Sequence, residues 1–567
     1  MINSSYSIKC PSPEAELLLL CARKKVEETE KDSIKNLVSG TLDWSYLIDI
    51  AHINKLIPIL YWNLNEICPD SVPSEYFNYL KSHFQAASKS NLYVTKELFH
   101  ILDLLEKEDI FAVPYKGPAL AVYLFGNLAL RGFSDLDIMA HSKDVLKIKE
   151  LLVNEGYTPE VNITSYMEKA FLKNAYAYEF TRDSNGLLVE VHWRITPSHY
   201  SSSIDLDNMG MDLQTIQITN RKLPIFSRED LIIDLCMHGA RKSWEKISMV
   251  VDMAELIKLD ENIDWEYVFK KAESLRCKKM LLLGLFLAND LLGVSLPEHI
   301  QNKINSEPFL KEIVSQIYER FWSGNPDREL IKDIKELQLK IRDNFFQSLS
   351  YAFLFLIRPT VEDFSFVGLP EYLSFLYYFI RPYRLIAKYL FRLYGGNRLV
   401  EYVPTPIEVV DKMLDFAGVG SNDVIYDVGC GDGRILTLAA KKFGIRGVGF
   451  DINPKHISRA KINAQAEGVD HLVKFIEKDA ISADYSEATV ITMYLTCVTV
   501  PKFRDMFESQ LKAGARIVSH NTLIENWSPS ETKLVLDDHG FIHALRLWRI
   551  GGALDEKKRS MEHAGIN

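Results

Sequence analysis

One segment near the C-terminal end constrains the fold of this chain more than any other part of the sequence. A short apolar run, residues 424–426, leads into Asp427, and an apolar helical pattern begins soon afterwards. Three glycines stand between them: Gly429, Gly431 and Gly433. A second apolar run, residues 446–450, ends in Asp451, about 20 residues beyond the glycines, as in nucleotide-binding βαβ units. The segment therefore predicts two parallel strands joined by a helix, with a glycine turn that lets the backbone come close to a ligand.

The acids at the strand ends predict the kind of ligand. Asp451 can accept hydrogen bonds from both hydroxyls of a ribose, which predicts an adenosine-containing cofactor. Asp427 favours S-adenosylmethionine, because a methionine ammonium needs a nearby carboxylate whereas a dinucleotide pyrophosphate would be repelled by one. A third strand, residues 473–476, leads to Asp479, which can accept a hydrogen bond from the adenine amino group. A plain βαβ unit without a cofactor is the alternative, and three acids at successive strand ends argue against it.

Four further stretches carry a family likeness: residues 402–410, 426–434, 484–490 and 493–495. Through them, residues 400–550 resemble class I S-adenosylmethionine-dependent methyltransferases, in the branch that includes mitochondrial protein-lysine methyltransferases. The resemblance implies a Rossmann-like seven-stranded domain that methylates a protein lysine or another amine. The Asn-Pro-Pro-Tyr type motif of many amino-group methyltransferases is absent, and residues 492–496 stand in its place, so the acceptor stays open.

Two residues of this part have alternative roles. Thr405 lies in a Pro-Thr-Pro segment that should cross the pocket, where its hydroxyl would reach the methionine carboxylate. Its alternative role is to cap the helix that begins before Glu408. Tyr494 follows a predicted strand and either lines the acceptor pocket or packs in the core.

A second acidic pattern lies in the N-terminal part. Asp135 and Asp137 are two residues apart on a predicted strand, so both carboxylates point to the same face. Like charges this close are costly unless a cation lies between them, and Mg²⁺ suits such oxygen ligands. A third acid, Glu190, lies in the alternating strand pattern of residues 187–193. A turn at the start of the strand, with no metal, is the alternative for the two aspartates.

The pattern from Lys116-Gly117 through the three acids resembles the DNA polymerase β-like nucleotidyltransferase superfamily, in an uncharacterised prokaryotic branch, over residues 15–390. The resemblance implies that Asp135 and Asp137 bind metal and a nucleoside triphosphate, and that Glu190 binds a second metal and activates an acceptor hydroxyl. Lys116 or Arg131 would neutralise phosphate charge.

One departure weakens the predicted phosphate site, because Pro118 follows Gly117 and lacks the amide that would hold phosphate. His192 and His238 are either ligands or hydrogen-bonded core residues.

Composition limits the partners and the compartment. The net charge of −10 argues against general nucleic-acid binding. Seven scattered cysteines without a C-x-x-C pair predict a reducing, cytoplasmic location. The sequence contains no uninterrupted run of about 18 apolar residues, so no transmembrane helix is predicted. The aromatic segment 372–394 predicts an amphipathic helix pair packed on its own domain, with peripheral membrane or partner contact as the alternative.

The order of patterns along the chain predicts a multidomain α/β protein. We predict a helical region (1–110), a nucleotidyltransferase-like α/β core (111–226), a helical region that completes that domain (227–395) and the methyltransferase (396–555). Helical spacing is clearest over residues 51–64 and 92–105. Three hypotheses follow: two catalytic domains, a methyltransferase with a nucleotide- or substrate-binding N-terminal module, or a methyltransferase with an interaction scaffold.

Overall fold

The computed structural model divides the protein into two compact units, Met1–Tyr389 and Leu390–Asn567. The described residues are 11–133, 135–161, 167–182, 186–197, 200, 206, 213–260, 262–322, 336–393, 404–495, 503–522, 524, 527, 529–537 and 542–551. The finer division of the first unit into three regions stays a prediction.

The first unit is mainly helical. Its α-helices are α1 (Pro13–Cys21), α2 (Glu28–Val38), α3 (Trp44–Ile53), α4 (Ile57–Ile67), α5 (Ser74–Lys107), α6 (Gly117–Phe125), α7 (Val145–Asn154), α8 (Glu168–Asn174), α9 (Arg228–Arg241), α10 (Ile247–Lys258), α11 (Trp265–Ser274), α12 (Lys278–Leu292), α13 (Glu298–Asn305), α14 (Phe309–Trp322), α15 (Phe345–Ile357), α16 (Val361–Phe366) and α17 (Tyr377–Leu393). Its strands are β1 (Ala112–Pro114), β2 (Asp135–Ala140), β3 (Tyr157–Pro159), β4 (Ala177–Arg182), β5 (Leu188–His192), β6 (Leu213–Ile218) and β7 (Arg221–Phe226).

A five-stranded mixed sheet with the order β1-β2-β5-β4-β3 forms the centre of this unit. β2 and β5 are parallel, and the other neighbours are antiparallel. Alternation explains how these strands can carry acids, because the buried Leu136 and Ile138 alternate with the acids of β2, and the buried Val189 and Val191 flank the acid of β5. One face of the β2–β5 pair is therefore free to form a polar site.

The apolar spacing over residues 51–64 suggests a continuous helix, and the structure corrects this. α3 ends at Ile53 and α4 begins at Ile57, with Lys55 in the left-handed region at a φ of 57°. The Asn54 side chain donates to the carbonyl of Ile50 and accepts from the amide of Ile247, so it joins the end of α3 to the start of α10. This break brings Lys55 to a polar cavity described below.

The second unit alternates helices and strands. Its α-helices are α18 (Ile407–Phe416), α19 (Arg434–Phe443), α20 (Pro454–Ala466) and α21 (Arg504–Gln510). Its strands are β8 (Val424–Val428), β9 (Arg446–Asp451), β10 (Val473–Glu477), β11 (Val490–Met493), β12 (Arg516–His520), β13 (Glu531–Leu536) and β14 (Ile542–Arg549).

These seven strands form one sheet with the order β10-β9-β8-β11-β12-β14-β13, in which β14 is antiparallel to both neighbours. The predicted Rossmann-like seven-stranded domain is confirmed. Ile425 packs into an apolar cluster with α18, α19 and α20, whereas Tyr426 and Val428 pack into a second cluster with α21. The strand order reverses between β8 and β11, and ligands of open α/β sheets bind at the carboxyl ends of strands at such a point.

Exposed large apolar side chains of the first unit concentrate in residues 345–386, on its last three helices and the segment between α16 and α17. They are Phe345, Phe346, Leu349, Phe353, Phe355, Leu356, Phe366, Val367, Tyr372, Phe375, Phe379, Tyr383 and Ile386. Tyr377 and Arg381 are buried beside them, so α17 packs on its own unit through one side only. Contact of segment 372–394 with a membrane surface or a partner stays a prediction, and its side chains from 388 onward lie outside the described residues. Among the described helices, none is long and apolar enough to cross a membrane.

Candidate functional sites

β2 and β5 bring the predicted acids of the first unit together. Their parallel register pairs Asp137 with Glu190 and places His192 two residues further on, on the same face as Glu190. Asp135 lies on the same face of β2. Together with neighbouring helices, these strands line a cavity of about 310 Å³. Its charged and histidine lining residues are Lys55, Lys116, Arg131, Asp135, Asp137, Glu179, Glu190, His238, Arg241, Lys242, Glu245, Lys246 and Asp252.

Two donors already neutralise the acids at the base of this cavity. The Nε2 of His192 lies 3.1 Å from a carboxylate oxygen of Asp137 and 3.1 Å from one of Glu190. The buried Lys116 ammonium lies 3.7 Å from the same Asp137 oxygen and 3.3 Å from the Nδ1 of His238. His192 and His238 therefore both belong to the polar cluster, and a ligand role for either of them stays a prediction.

The acids on β2 have opposite pKa shifts. Burial would raise the pKa of Asp137, but the Lys116 ammonium and the hydrogen bond from His192 lower it well below its ordinary value. Burial and the charge of Asp137 raise the pKa of Asp135. Burial opposes ionisation of Glu190 as well, but its hydrogen bond with His192 lowers its pKa. Asp137 and Glu190 are thus held as anions, while Asp135 is the carboxyl that most readily takes a proton.

Three further residues of the predicted site, Arg131, Gly117 and Pro118, have separate surroundings. Arg131 makes a two-pronged ion pair with Asp252, at 2.9 and 3.0 Å. Pro118 lies in the first turn of α6. A Cβ atom on Gly117 would lie 3.2 Å from the backbone oxygen of Asp135, so this glycine permits the close approach of α6 to β2.

The acids and His192 could hold a metal ion. Asp137, Glu190 and His192 each offer one ligand atom, and these atoms lie within 4.8 Å of one another. Asp135 lines the same cavity but is not part of this group. The donor set of two carboxylates and one imidazole admits a divalent cation. An ion there would have to replace the hydrogen bonds of His192.

In the second unit, the glycine loop has the conformation that its sequence predicts. Gly429, Gly431 and Gly433 all have a positive φ, at 76°, 52° and 77°. The amide of Gly429 donates to the carbonyl of Phe450, which fastens the loop to β9. The amide of Gly431 donates to the Asp451 carboxylate at 3.0 Å. The loop therefore leads directly from β8 into α19 at the switch point of the sheet.

Asp427 is a buried carboxylate, and only one of its two oxygens accepts a hydrogen bond within the described residues. Its Oδ1 accepts a hydrogen bond from the Thr492 hydroxyl at 2.8 Å. Its Oδ2 is buried and has no hydrogen-bond partner within the part of the chain that the structure describes. Burial raises the pKa of Asp427 to about 7. An uncompensated carboxylate oxygen at this position fits the ammonium of a methionine-containing cofactor, so the residues present fit S-adenosylmethionine.

Asp451 and Asp479 stand at the ends of the next two strands. Asp451 accepts from the amide of Asn453 at 2.8 Å and from that of Gly431. Asp479 accepts from the amide of Ile481 at 3.0 Å and begins a short 3₁₀ turn. Each carboxylate oxygen can accept more than one hydrogen bond, so these backbone contacts leave capacity for a ligand while they fix the carboxylates in place.

Thr405 does not cap α18. The N-cap position is Pro406, and the helix lacks a side-chain capping bond. The buried Thr405 hydroxyl lies 3.0 Å from the Nδ1 of His520 instead. The ring of Tyr494 packs on His520, with 4.0 Å between ring centroids. Thr405 and Tyr494 therefore meet at the carboxyl ends of β11 and β12, beside the switch point.

Replacing Asp451 with Ala should weaken S-adenosylmethionine binding by roughly tenfold or more, because ribose hydrogen bonds to a carboxylate contribute about 1.5–3 kcal/mol each before water compensates. Titration calorimetry on the full chain measures the change. Asp470→Ala, at an exposed acid of the same unit, is the matched control. Equal affinities for Asp451→Ala and Asp470→Ala would contradict the ribose assignment.

Both units match known families. Residues 40–293 match the family described as an uncharacterised nucleotidyltransferase, and residues 427–531 match the ANTKMT methyltransferase domain. A protein-lysine N-methyltransferase of Saccharolobus islandicus (strain REY15A) is 40% identical over 153 residues, which cover 27% of this chain and 94% of the relative. The adenine nucleotide translocase lysine N-methyltransferase of Mus musculus is 28% identical over 131 residues, which cover 23% of this chain and 56% of the relative. The RNA methyltransferase of Salinibacter ruber, solved with S-adenosyl-L-homocysteine, is 43% identical over 94% of its chain and 26% of this one, with a TM-score of 0.25.

The sheet order, the glycine loop and these matches define the second unit as an S-adenosylmethionine-dependent methyltransferase domain. Through this unit, the chain belongs to the methyltransferase family of the Saccharolobus islandicus protein, and its first unit matches the model of the uncharacterised nucleotidyltransferase family over residues 40–293.

Several residues of the two sites carry no local signal in the sequence. Lys55 lies between two helices, and Asp234 is a buried acid of α9 whose pKa is raised by burial. Thr492 and His520 lie on strands that read as ordinary core. An exception to apolar alternation, such as an acid inside a helix face that is otherwise buried, is the signal that could have indicated Asp234.

Proposed function

We propose that the second unit methylates an amine and that its acceptor is a protein lysine. The observation that carries this proposal is the 40% identity over 94% of a relative named as a protein-lysine N-methyltransferase. The mouse relative is also named as a lysine N-methyltransferase, although the chain spans only about half of its length.

In this proposal, three acids and the glycine loop hold the cofactor. Asp427 pairs with the methionine ammonium, Asp451 accepts the ribose hydroxyls, and Asp479 accepts the adenine amino group. Bound S-adenosylmethionine supplies an electrophilic methyl group. The contribution of the chain is to align the acceptor amine with that group and to exclude water.

A methyl-transfer assay with the full chain, labelled S-adenosylmethionine and poly-L-lysine tests the acceptor class. Label should enter poly-L-lysine but neither Nε-acetylated poly-L-lysine nor poly-L-arginine, which keeps the charge and lacks the amine. Transfer to an RNA transcript with none to poly-L-lysine would overturn the lysine proposal. The heat-denatured chain gives the background rate.

For the first unit, we propose an Mg²⁺-dependent nucleotidyltransferase-like activity. The observation that favours it is the pairing of Asp137 with Glu190 across two parallel strands, in the lining of a cavity that also carries lysines and arginines. The alternative is a non-catalytic module that binds a nucleotide or the methyltransferase substrate. That alternative is favoured by Pro118 and by the neutralisation of Asp137 by Lys116 and His192.

Calorimetry with Mg²⁺ and each nucleoside triphosphate separates these alternatives. A ligand that binds only the folded state raises the melting temperature of the first unit. A rise with Mg²⁺ and a triphosphate, together with transfer of labelled nucleotide, supports catalysis. A rise without transfer supports the binding module. No rise with any triphosphate would contradict both catalysis and nucleotide binding, and would leave a module that binds the methyltransferase substrate.

Cytoplasmic location is part of the proposal. The described cysteines are free and buried, which suits a reducing compartment.

A further inference from the structure

Four polar residues form a continuous line of hydrogen bonds in the second unit. The Thr405 hydroxyl lies 3.0 Å from the Nδ1 of His520. The Nε2 of His520 lies 2.8 Å from the Nδ1 of His543, and the Nε2 of His543 lies 3.3 Å from a carboxylate oxygen of Asp537. Thr405, His520 and Asp537 are buried, whereas His543 is partly accessible.

The carboxylate at one end sets the direction of this line. Asp537 can only accept, so the Nε2 of His543 carries a hydrogen, and its Nδ1 accepts from the Nε2 of His520. The Nδ1 of His520 is then left to accept from the Thr405 hydroxyl. In their neutral forms, both imidazoles are Nε2–H tautomers, and every link points from Thr405 towards Asp537.

The line begins beside the switch point of the sheet. His520 ends β12, and Tyr494, which packs on its ring, follows β11. The carbonyl of Thr405 accepts from Arg434, the first residue of α19 after the glycine loop. Thr405 thus lies between the loop and the carboxyl ends of β11 and β12, which is the side of the sheet where an acceptor would approach.

We propose that Thr405, His520, His543 and Asp537 form a proton relay that removes a proton from the acceptor ammonium. The proposal rests on the amine acceptor proposed above. The ammonium gives a proton to the Thr405 oxygen as the Thr405 hydroxyl proton passes to the Nδ1 of His520. The Nε2 proton of His520 then passes to the Nδ1 of His543.

His543 becomes an imidazolium, which Asp537 stabilises. Partly accessible to solvent, it releases its proton to water. The amine is left with a free lone pair.

The environment of His520 opposes a lasting positive charge on its ring, so this histidine can pass a proton on but does not keep one. Burial, together with the charges of His543 and Arg546, lowers its pKa to about 3. Among the described residues, Thr405 and Tyr494 contact the His520 ring, Arg546 lies near it, and Asp537 contacts His543. Of these, only Asp537 carries a negative charge. His520 therefore stays neutral at rest and passes a proton on.

The relay predicts a pH-dependent defect. On poly-L-lysine near neutral pH, His543→Gln and His520→Gln should lower kcat by about 100-fold, at the lower end of general acid–base contributions. Affinity for S-adenosylmethionine should be unchanged. The deficit should shrink by about tenfold per pH unit as the lysine amine, with a pKa of about 10.4, loses its own proton. Thr405→Val should lower kcat with the same dependence on pH, and Thr405→Ser should restore the rate.

His471→Gln, at an exposed histidine of the same unit, is the matched control and should behave like the unaltered chain. Histidine ¹⁵N resonances of the cofactor-free chain should show Nε2–H tautomers for His520 and His543. A rate loss by the same factor at every pH, a parallel loss of cofactor affinity, or a different tautomer would overturn the relay. An unaltered chain that methylates poly-L-lysine at no pH would contradict the amine acceptor and the relay together. An active chain with fully active His543→Gln would contradict the relay alone.

Discussion

Asp137→Asn should lower the free energy of unfolding of the first unit by about 3–5 kcal/mol, whereas Asp135→Asn should leave it unchanged or raise it. Asp137 compensates the buried Lys116 ammonium and accepts from His192, so its loss leaves a buried positive charge without a partner. Asp135 is a buried acid whose pKa is raised by burial and by Asp137, so the amide relieves a repulsion. The sequence does not distinguish the two aspartates. Their different contacts in the structure predict opposite changes in the free energy of unfolding.

Scanning calorimetry of the full chain measures this contrast, with added S-adenosylmethionine to identify the transition of the second unit. Lys116→Met together with Asp137→Asn is the control, because it removes both charges and should recover part of the loss. Equal melting temperatures for the Asp135→Asn and Asp137→Asn chains would contradict the separate roles. From the sequence alone, replacing both Asp135 and Asp137 with Asn is expected to leave the first unit at least as stable. The contact between Lys116 and Asp137 reverses that expectation for Asp137.

Asp427→Asn should stabilise the cofactor-free second unit above about pH 7 and should also weaken S-adenosylmethionine binding severely. The pKa of Asp427 rises to about 7 in the folded unit, so the folded state favours the protonated carboxyl. Its contribution to stability is fully present below the ordinary carboxyl pKa and is lost as the pH rises through 7. The total change is on the order of 4 kcal/mol. Asparagine has no charge to desolvate and removes this dependence.

Cofactor affinity should depend on pH with the opposite sign to the stability of the cofactor-free unit. A methionine ammonium pairs only with the ionised Asp427, so affinity should rise by about tenfold per pH unit up to about pH 7 and then level off. 5′-Methylthioadenosine lacks the amino-acid part and should bind with no such dependence. Calorimetric titrations of both ligands at several pH values measure the difference. If both ligands respond to pH alike, or if Asp427→Asn binds S-adenosylmethionine normally, the ammonium does not pair with this residue.

Local sequence was a good guide wherever a residue acts through its own strand or turn. The three positive-φ glycines, the acids at the ends of β8 and β9, and the alternation around Asp135, Asp137 and Glu190 are short-range patterns. The resemblance of the C-terminal part to class I methyltransferases is confirmed by the strand order and the family match, and that of the N-terminal part by its own family match. The role of each site residue remains a proposal.

The sequence could not predict which partners the charged groups would have. His192 lies between two carboxylates only because β2 and β5 are parallel and in register, and Lys55 reaches the cavity only because a helix breaks at Asn54. Thr405 and His520 are more than a hundred residues apart and meet through the order of the strands.

By itself, the sequence determined the two families, the Rossmann-like fold and the strand ends where the cofactor-binding acids stand, because spacing and alternation are set by residues close in the chain. Only the tertiary structure decided that Asp137 pairs with Lys116, that Asp427 keeps one unpartnered oxygen among the described residues, and that Thr405 contacts a pair of histidines. Those properties depend on burial and on contacts between distant segments, and these exist only once the chain has folded.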